Sequence, residues 1–154
     1  MTTPEQRLAN HGLTLPAISR ARGTYRQWKR TGTLIFLTGK GPRAEDGAVR
    51  SGKLGGAVSV EEGYADARMA GLHLLSVLKE AVGELSHVRS VVKVLGMVNA
   101  VPEFTQHTAV INGCSDLFIM TFGDEVGNHA RSAVGMGSLH GMSVEIEAVV
   151  EVEG

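Results

Sequence analysis

The sequence of 154 residues contains one cysteine, four prolines and no long apolar run. A single thiol, Cys114, cannot form an internal disulfide, which excludes a disulfide-stabilised scaffold and suits a reducing compartment. The longest apolar segments fall far short of the roughly 20 residues that span a membrane. Residues 1–12 are polar and lack an apolar signal core. We therefore expect a cytoplasmic protein without a membrane partner.

Charge and aromatic content are both too low to favour a nucleic-acid partner. The 15 basic and 16 acidic residues give a net charge of −1, and 5% of the residues are aromatic. Such a chain exerts no general attraction on a polyanion. One basic cluster near the N-terminus is either a solvated surface, which we favour, or a phosphate-binding or RNA-binding surface. It consists of Arg20, Arg22, Arg26, Lys29 and Arg30.

Motifs of metal, nucleotide and serine-hydrolase sites are absent as well. The chain has no H-E-x-x-H, no C-x-x-C and no EF-hand pattern, and its six histidines show no ligand spacing. The glycine-rich segments 38–42 and 135–141 match neither the P-loop nor the dinucleotide-binding fingerprint, and Gly-x-Ser-x-Gly is missing. Cys114 has no histidine at an obvious partner position, so we interpret it as a buried structural thiol.

The clearest predicted element is a long helix over residues 59–82. Ser59 and Glu62 form an S-x-x-E capping box, in which each side chain bonds a free backbone N–H. Apolar residues then recur at helical spacing, and Gly83 stands where a helix C-cap belongs. The apolar positions are Ala67, Gly71, Leu74, Leu75, Leu78 and Val82.

The remaining segments complete one domain, residues 1–154. A short helix is predicted over 4–11, a strand pair over 22–29 and 33–38, a central strand over 88–98, and a second long helix over 102–121. Residues 132–136 and 143–152 predict a closing antiparallel hairpin, in whose last strand apolar residues alternate from Val144 to Val152. The expected fold is α+β, with a single mixed sheet and two helices packed on one face.

The opposite face of this sheet has no element left to cover it. Self-association of the chain would bury that face, and closed cyclic oligomers are the common solution. We therefore expect a homo-oligomer.

Arg131, Glu145 and Glu147 form the one constellation that could carry chemistry. In the predicted hairpin Arg131 lies opposite Glu145 if the turn centres on Ser138, and opposite Glu147 if it centres one residue later. The pair is then either a cross-strand salt bridge or a site in which arginine holds a carboxylate while a glutamate orients or deprotonates water. Spacing alone leaves both interpretations open.

Three segments carry further motifs. Near the C-terminus, segment 129–136 is H-A-R-S-A-V-G-M and segment 144–150 is V-E-I-E-A-V-V. Near the N-terminus, segment 25–42 begins with Y-x-Q and ends with T-G-x-x-P. After the predicted central strand come Phe104, Asn112 and Phe118. In this order they resemble the Rid family, also called YjgF or L-PSP endoribonuclease, whose C-terminal signature is P-A-R-S-x-V followed by [VI]-E-I-E-A-[IV]-A. The similarity spans a core of residues 22–152 and leaves residues 1–21 as an N-terminal extension with an extra helix.

The resemblance implies a chorismate-mutase-like fold and a homotrimer with active sites between neighbouring subunits. It also implies hydrolysis of 2-aminoacrylate-type enamines and their imine tautomers to 2-oxo acids and ammonia, without a cofactor. The family's carboxylate-binding arginine corresponds to Arg131, and its water-orienting glutamate to Glu145. Further substrate-binding positions correspond to Tyr25, Thr38, Gly39, Asn112 and Ala133.

The chain departs from the family pattern at two positions beside the arginine. Ala133 replaces a cysteine, which removes thiol chemistry there, and His129 replaces a proline. The longer second helix and glycine loop resemble a divergent branch whose substrates need not be those of the main branch. Three functions remain: a deaminase of 2-iminobutanoate or 2-iminopropanoate, which we favour; a non-catalytic trimer that binds small carboxylates; and, least favoured, an endoribonuclease.

Overall fold

Strands and helices alternate along the chain, and a computed structural model describes all 154 residues. The helices are α1 (Pro4–Asn10), α2 (Val60–Val82), α3 (His107–Phe122) and α4 (Asp124–Gly127), with a 3-10 turn at Leu85–His87. The strands are β1 (Trp28–Thr31), β2 (Leu34–Lys40), β3 (Val88–Asn99), β4 (Ala130–Met136) and β5 (Val144–Val152). All five strands form one mixed sheet in the order β1-β2-β5-β3-β4. The predicted α+β class is confirmed.

Two helical crossovers explain the strand order. Helix α2 connects β2 to β3, and α3 connects β3 to β4, which runs parallel to β3. Strand β5 is antiparallel to both β2 and β3 and lies between them. Because a strand pair joined through a helix is normally parallel, each long helix forms one crossover over the sheet.

The predicted hairpin of the last two strands is wrong. Strand β3 separates β4 from β5: Arg131 pairs with Val94, whereas Glu145 pairs with Met97. The prediction followed from nearness in sequence, but residues 137–143 carry the chain past the end of β3, so that β4 and β5 lie on its two sides. Arg131 and Glu145 are therefore not cross-strand neighbours.

Helices α2 and α3 cover one face of the sheet and enclose the core. The capping box of Ser59 and Glu62 and the C-cap at Gly83 begin and end α2 as predicted. The apolar alternation of β5 is confirmed, since Val144 and Val152 mark the ends of a fully buried row. Cys114 is buried in this core, as expected of a structural thiol.

The boundaries of α3 and β1 differ most from the sequence predictions. Helix α3 begins at His107, five residues after Pro102. Strand β1 has four residues instead of the predicted eight. It begins at Trp28, which pairs with Leu37 of β2. The register of β2 in its pairing with β5 shifts directly after Leu37. The segment that precedes Trp28 therefore has no straight strand beside it.

The second face of the sheet is open. Large apolar side chains lie on it or at its edge, with exposed fractions of 46% for Phe36, 39% for Val134 and 38% for Met136. Glu145 and Glu147 alternate with buried residues along β5 and point to this face. No helix combines the length with the apolar character that a bilayer crossing requires.

A buried lysine stands at the end of β2. Lys40 is 8% exposed and donates a hydrogen bond to Gln27, and none of the ion pairs in the molecule includes it. Burial, and after it the charge of Arg43, lower the pKa of the Lys40 ammonium group. An unpaired buried cation costs free energy of folding.

Replacing Lys40 by methionine is expected to stabilise the fold by about 1–2 kcal/mol at neutral pH, because an apolar side chain of similar length avoids burial of the charge. As the pH rises through the lowered folded-state pKa toward the ordinary lysine value, the wild-type chain should regain this difference. The reason is that the unfolded chain binds the proton more tightly than the folded one. Urea unfolding at neutral and alkaline pH measures both effects.

Lys29→Met is the matched control, because Lys29 is an exposed residue of β1. Its effect on stability should stay within about 0.5 kcal/mol. A Lys40→Met variant that unfolds more easily than the wild type would show that the ammonium group stabilises the fold.

Candidate functional site

Arg131 lies on the edge strand β4, with its side chain on the face that carries the helices. It pairs with the buried Val94, so both side chains point toward α3. Its Nη1 donates to Asn112 Oδ1 at 2.9 Å and to Ser115 Oγ at 3.0 Å. Its Nη2 donates to the carbonyl oxygen of Thr108 at 3.3 Å. Three acceptors on α3 thus fix the orientation of the guanidinium group.

The charge of this guanidinium has no acidic partner. The four ion pairs of the molecule involve other basic residues, and all three acceptors around Arg131 are neutral. A guanidinium has five N–H donors, so the Nε–H and one Nη2–H are left without a protein acceptor. Two N–H groups in this planar fork match the two oxygens of a carboxylate.

A second layer of hydrogen bonds supports the arginine. Ser115, which is buried, contacts His129 Nε2 at 2.8 Å through its hydroxyl, and His129 Nδ1 lies 2.7 Å from the Gly127 carbonyl oxygen. Burial is the main cause that lowers the pKa of His129, and the nearby charge of Arg131 lowers it further. The imidazole is therefore neutral at pH 7.

Glu145 belongs to a different group of residues, on the open face. A Cβ built on Gly39 would lie 2.8 Å from Glu145 Oε2, so the carboxylate packs against the bare backbone of that glycine. Thr38 precedes the glycine and donates its hydroxyl to the Arg26 carbonyl oxygen at 2.6 Å. Thr38 also lines a groove of about 450 Å³ together with Glu147.

The predicted site residues therefore form two groups on opposite faces of the sheet. Arg131 and Asn112 are in direct contact, and Ala133 follows on the same side of β4. Gly39 and Glu145 are in contact on the other face, and Thr38 precedes Gly39 in the chain. The remaining acidic residues of β5 point to the same face as Glu145. Tyr25 is 51% exposed, and its hydroxyl accepts a hydrogen bond from the backbone N–H of Arg22. The expectation that Arg131 and Glu145 share a face within one chain is wrong.

Sequence reasoning missed Ser115 and the role of its partner His129. Ser115 lies three residues after Asn112, one turn along the same face of α3, and that spacing was the available signal. His129 was noted as a departure from the family pattern, without an assigned contact. No three side chains of the His, Cys, Asp and Glu types converge in the structure as metal ligands would.

A family model matches most of this chain. The model described as "YjgF/chorismate_mutase-like, putative endoribonuclease" matches residues 5–143. The chain belongs to the YjgF family.

Several relatives of this YjgF-family chain are similar over nearly their whole length. Protein TCP17 of Trypanosoma cruzi is 39% identical over 142 residues, which are 92% of this chain and 89% of that protein. The crystal structure of Atu1372 from Agrobacterium tumefaciens, a protein of unknown function, has a TM-score of 0.90 and 39% identity, with 99% and 94% of the two chains covered. A "putative endoribonuclease" from Shewanella oneidensis has a TM-score of 0.93 and 32% identity, with 97% and 99% covered.

Proposed function

We propose that this YjgF-family chain is an enamine and imine deaminase that converts 2-aminoacrylate-type intermediates into 2-oxo acids and ammonia. It would act in the cytoplasm as a homotrimer and use no cofactor. The observation that carries the proposal is the guanidinium group of Arg131, which is fixed by three neutral acceptors and has no acidic partner. A cation held in this way is ready to bind an anion.

The carboxylate of a 2-imino acid is the proposed ligand of Arg131. The free Nε–H and Nη2–H donate to its two oxygens, and these charge-assisted bonds fix the position and orientation of the adjacent imine carbon. Asn112 orients the arginine by accepting from Nη1. Ala133, the next residue on the same side of β4, has a small side chain that leaves room for the ligand.

The proposed trimer brings the two groups of site residues together. Arg131 and Glu145 face opposite sides of the sheet, so both can act on one ligand only if they come from different copies of the chain. A cyclic, head-to-tail assembly places two different surfaces of neighbouring copies against each other. The exposed apolar residues of the open face, Phe36 and Val134 among them, supply area for such a contact.

Hydrolysis then needs a directed water molecule. Glu145 of the partner subunit accepts a proton from water while the water oxygen bonds to the imine carbon, and it then returns this proton to the nitrogen to give a carbinolamine. Glu145 next transfers the hydroxyl proton of the carbinolamine to the nitrogen, so that the C–N bond breaks, ammonia leaves and the carbonyl of the 2-oxo acid forms. The groups proposed to surround this water are the hydroxyl of Thr38, the backbone of Gly39 and the ring of Tyr25. Glu147 is the alternative base.

A coupled assay tests the proposal. A serine or threonine dehydratase releases the enamine, whose transient ultraviolet absorbance decays by itself in water. The purified chain should accelerate this decay and the appearance of ammonia in proportion to its concentration. Decay at the uncatalysed rate, with full-length folded protein present, would contradict deaminase activity.

A non-catalytic carboxylate-binding trimer is the second candidate. One observation favours it: the network around Arg131 is complete within a single chain, whereas Glu145 lies on the other face. This function predicts that small 2-oxo acids raise the melting temperature while the coupled assay shows no acceleration.

A further inference from the structure

The hydrogen bonds between Arg131 and His129 have a single consistent direction. A guanidinium only donates, so Ser115 Oγ accepts from Arg131 Nη1. The Gly127 carbonyl only accepts, so His129 Nδ1 carries a proton and donates to it. In the neutral imidazole Nε2 is then unprotonated and accepts the Ser115 hydroxyl proton. The chain of donors runs from the arginine through the serine to the histidine.

We infer that binding of a carboxylate at Arg131 is coupled, through Ser115, to protonation of His129 at Nε2, so that the site takes up a proton together with its ligand. This inference rests on the proposed carboxylate site and adds to it a second cation that exists only in the occupied state. His129 is then a positioning residue in the empty site and a charge partner in the filled one.

The geometry allows this change without displacing the arginine. A protonated Nε2 donates to Ser115 Oγ, which has two lone pairs and still accepts from Arg131. The serine proton then turns to a backbone carbonyl one helical turn earlier, an acceptor that buried helical serines commonly use. The contacts of Ser115 Oγ with Arg131 Nη1 at 3.0 Å and with His129 Nε2 at 2.8 Å leave a single serine oxygen between the guanidinium and the imidazole.

Among the charged groups around His129, Arg131 is the one that affects protonation of the imidazole. Asp116 on α3 is engaged by the Tyr64 hydroxyl at 2.7 Å, and Lys93 on β3 donates to Ser132 at 3.3 Å. The acidic residues of α4 are exposed. Arg131 is the charged group that lowers the pKa of His129, in addition to burial. Arg89 pairs with Glu153. The charged side chains on α3, α4, β3 and β4 are Asp116, Asp124, Glu125, Arg89, Lys93 and Arg131.

The sign of the effect follows from linkage. In the empty site burial lowers the pKa of His129, and the charge of Arg131, which opposes a second positive charge, lowers it further. A bound carboxylate offsets the charge of Arg131 and removes that opposition, so the pKa of His129 rises. A ligand that raises a pKa binds more tightly as the pH falls through the interval between the empty-site and occupied-site values. A 2-oxo acid stays ionised throughout that interval.

Imidazole NMR of histidine-labelled full-length protein tests the inference. The pKa of His129 is measured with no ligand and with saturating 2-oxobutanoate, and the affinity for 2-oxobutanoate is measured at pH 5.5 and 7.5. We expect a higher pKa in the ligand-bound protein and an affinity roughly 3–10 times higher at pH 5.5. His129→Gln, which replaces the imidazole by an amide that does not titrate, should abolish that affinity ratio, whereas His140→Asn on the surface should leave it unchanged.

Ligand binding with an unchanged His129 pKa would overturn the inference and leave the proposed carboxylate site intact. The Arg131→Met variant provides a test that needs no ligand, because loss of the guanidinium charge should raise the pKa of His129. If this pKa stays at its wild-type value, the coupling is refuted even should 2-oxobutanoate fail to bind. Failure of 2-oxobutanoate to bind the wild type would instead contradict the proposed function.

Discussion

Arg131→Ala is expected to lower kcat/KM for imine hydrolysis by roughly 10²–10⁴-fold, because each of two charge-assisted hydrogen bonds to the substrate contributes about 1.5–3 kcal/mol. The loss should appear in binding as well, as a weaker thermal shift with 2-oxo acids. Folding should be retained, since Asn112 is half-buried and can turn to water while Ser115 keeps its bond to His129. The coupled assay and a thermal melt of the same preparation measure both properties.

Two matched arginine variants sharpen this prediction. Arg131→Lys keeps the charge but loses the planar fork, so its activity should lie between those of the wild type and Arg131→Ala. Arg89 is an exposed arginine that pairs with Glu153, and Arg89→Ala should retain full activity. Wild-type turnover by a folded Arg131→Ala variant would remove the basis of the proposed function.

Gly113→Ala is expected to destabilise the fold by about 3 kcal/mol or more, which corresponds to a drop in melting temperature of about 6–12 °C. Gly113 lies on α3 where it crosses α2. A Cβ at this position would overlap the carbonyl oxygen of Tyr64 and would lie 2.9 Å from its carbonyl carbon and 3.1 Å from the backbone nitrogen of Arg68. Backbone atoms cannot turn away as a side chain does, so the two helices must separate.

Gly137→Ala is the control for this variant. A Cβ on Gly137 meets no atom within 4 Å, and its backbone lies outside the left-handed region. Its melting temperature should therefore stay close to that of the wild type. Equal melting temperatures of Gly113→Ala and the wild type would mean that the helices are not packed as closely as described.

Local signals in the sequence were sufficient to predict the long helix α2. Its capping box, apolar stripe and terminal glycine all act between residues near one another in the chain, so each can be recognised without tertiary contacts. The same holds for the alternation of β5, which marks the buried face whichever strands lie beside it.

Strand neighbours could not be predicted in the same way. β4 and β5 are consecutive in sequence, but the crossover through α3 places β4 beside β3 and leaves β5 between β2 and β3. Which of these pairings forms depends on the packing of both helices over the whole sheet, a property that no short segment carries. The error moved Arg131 and Glu145 onto one face in the prediction, whereas the structure places them on two.

Because the strand order could not be predicted, only part of the candidate site was predicted. The family resemblance assigned Arg131 and Asn112 to one site, and the structure brings the two side chains into contact. Ser115 and His129 take part through helix packing and through a residue that departs from the family pattern, so resemblance gave no indication of them. The separation of Glu145 from Arg131 emerges only from the strand order, and it is this separation that points to a site shared between copies.

Subunit complementation tests the shared site most directly. Arg131→Ala and Glu145→Gln chains, each nearly inactive alone, are co-expressed with different tags, and trimers carrying both tags are purified. If each site takes its arginine from one copy and its glutamate from the next, every mixed trimer contains one intact site, and activity should return to about one third of the wild-type value. Mixed trimers that remain as inactive as the two parents would show that neighbouring copies do not share the site.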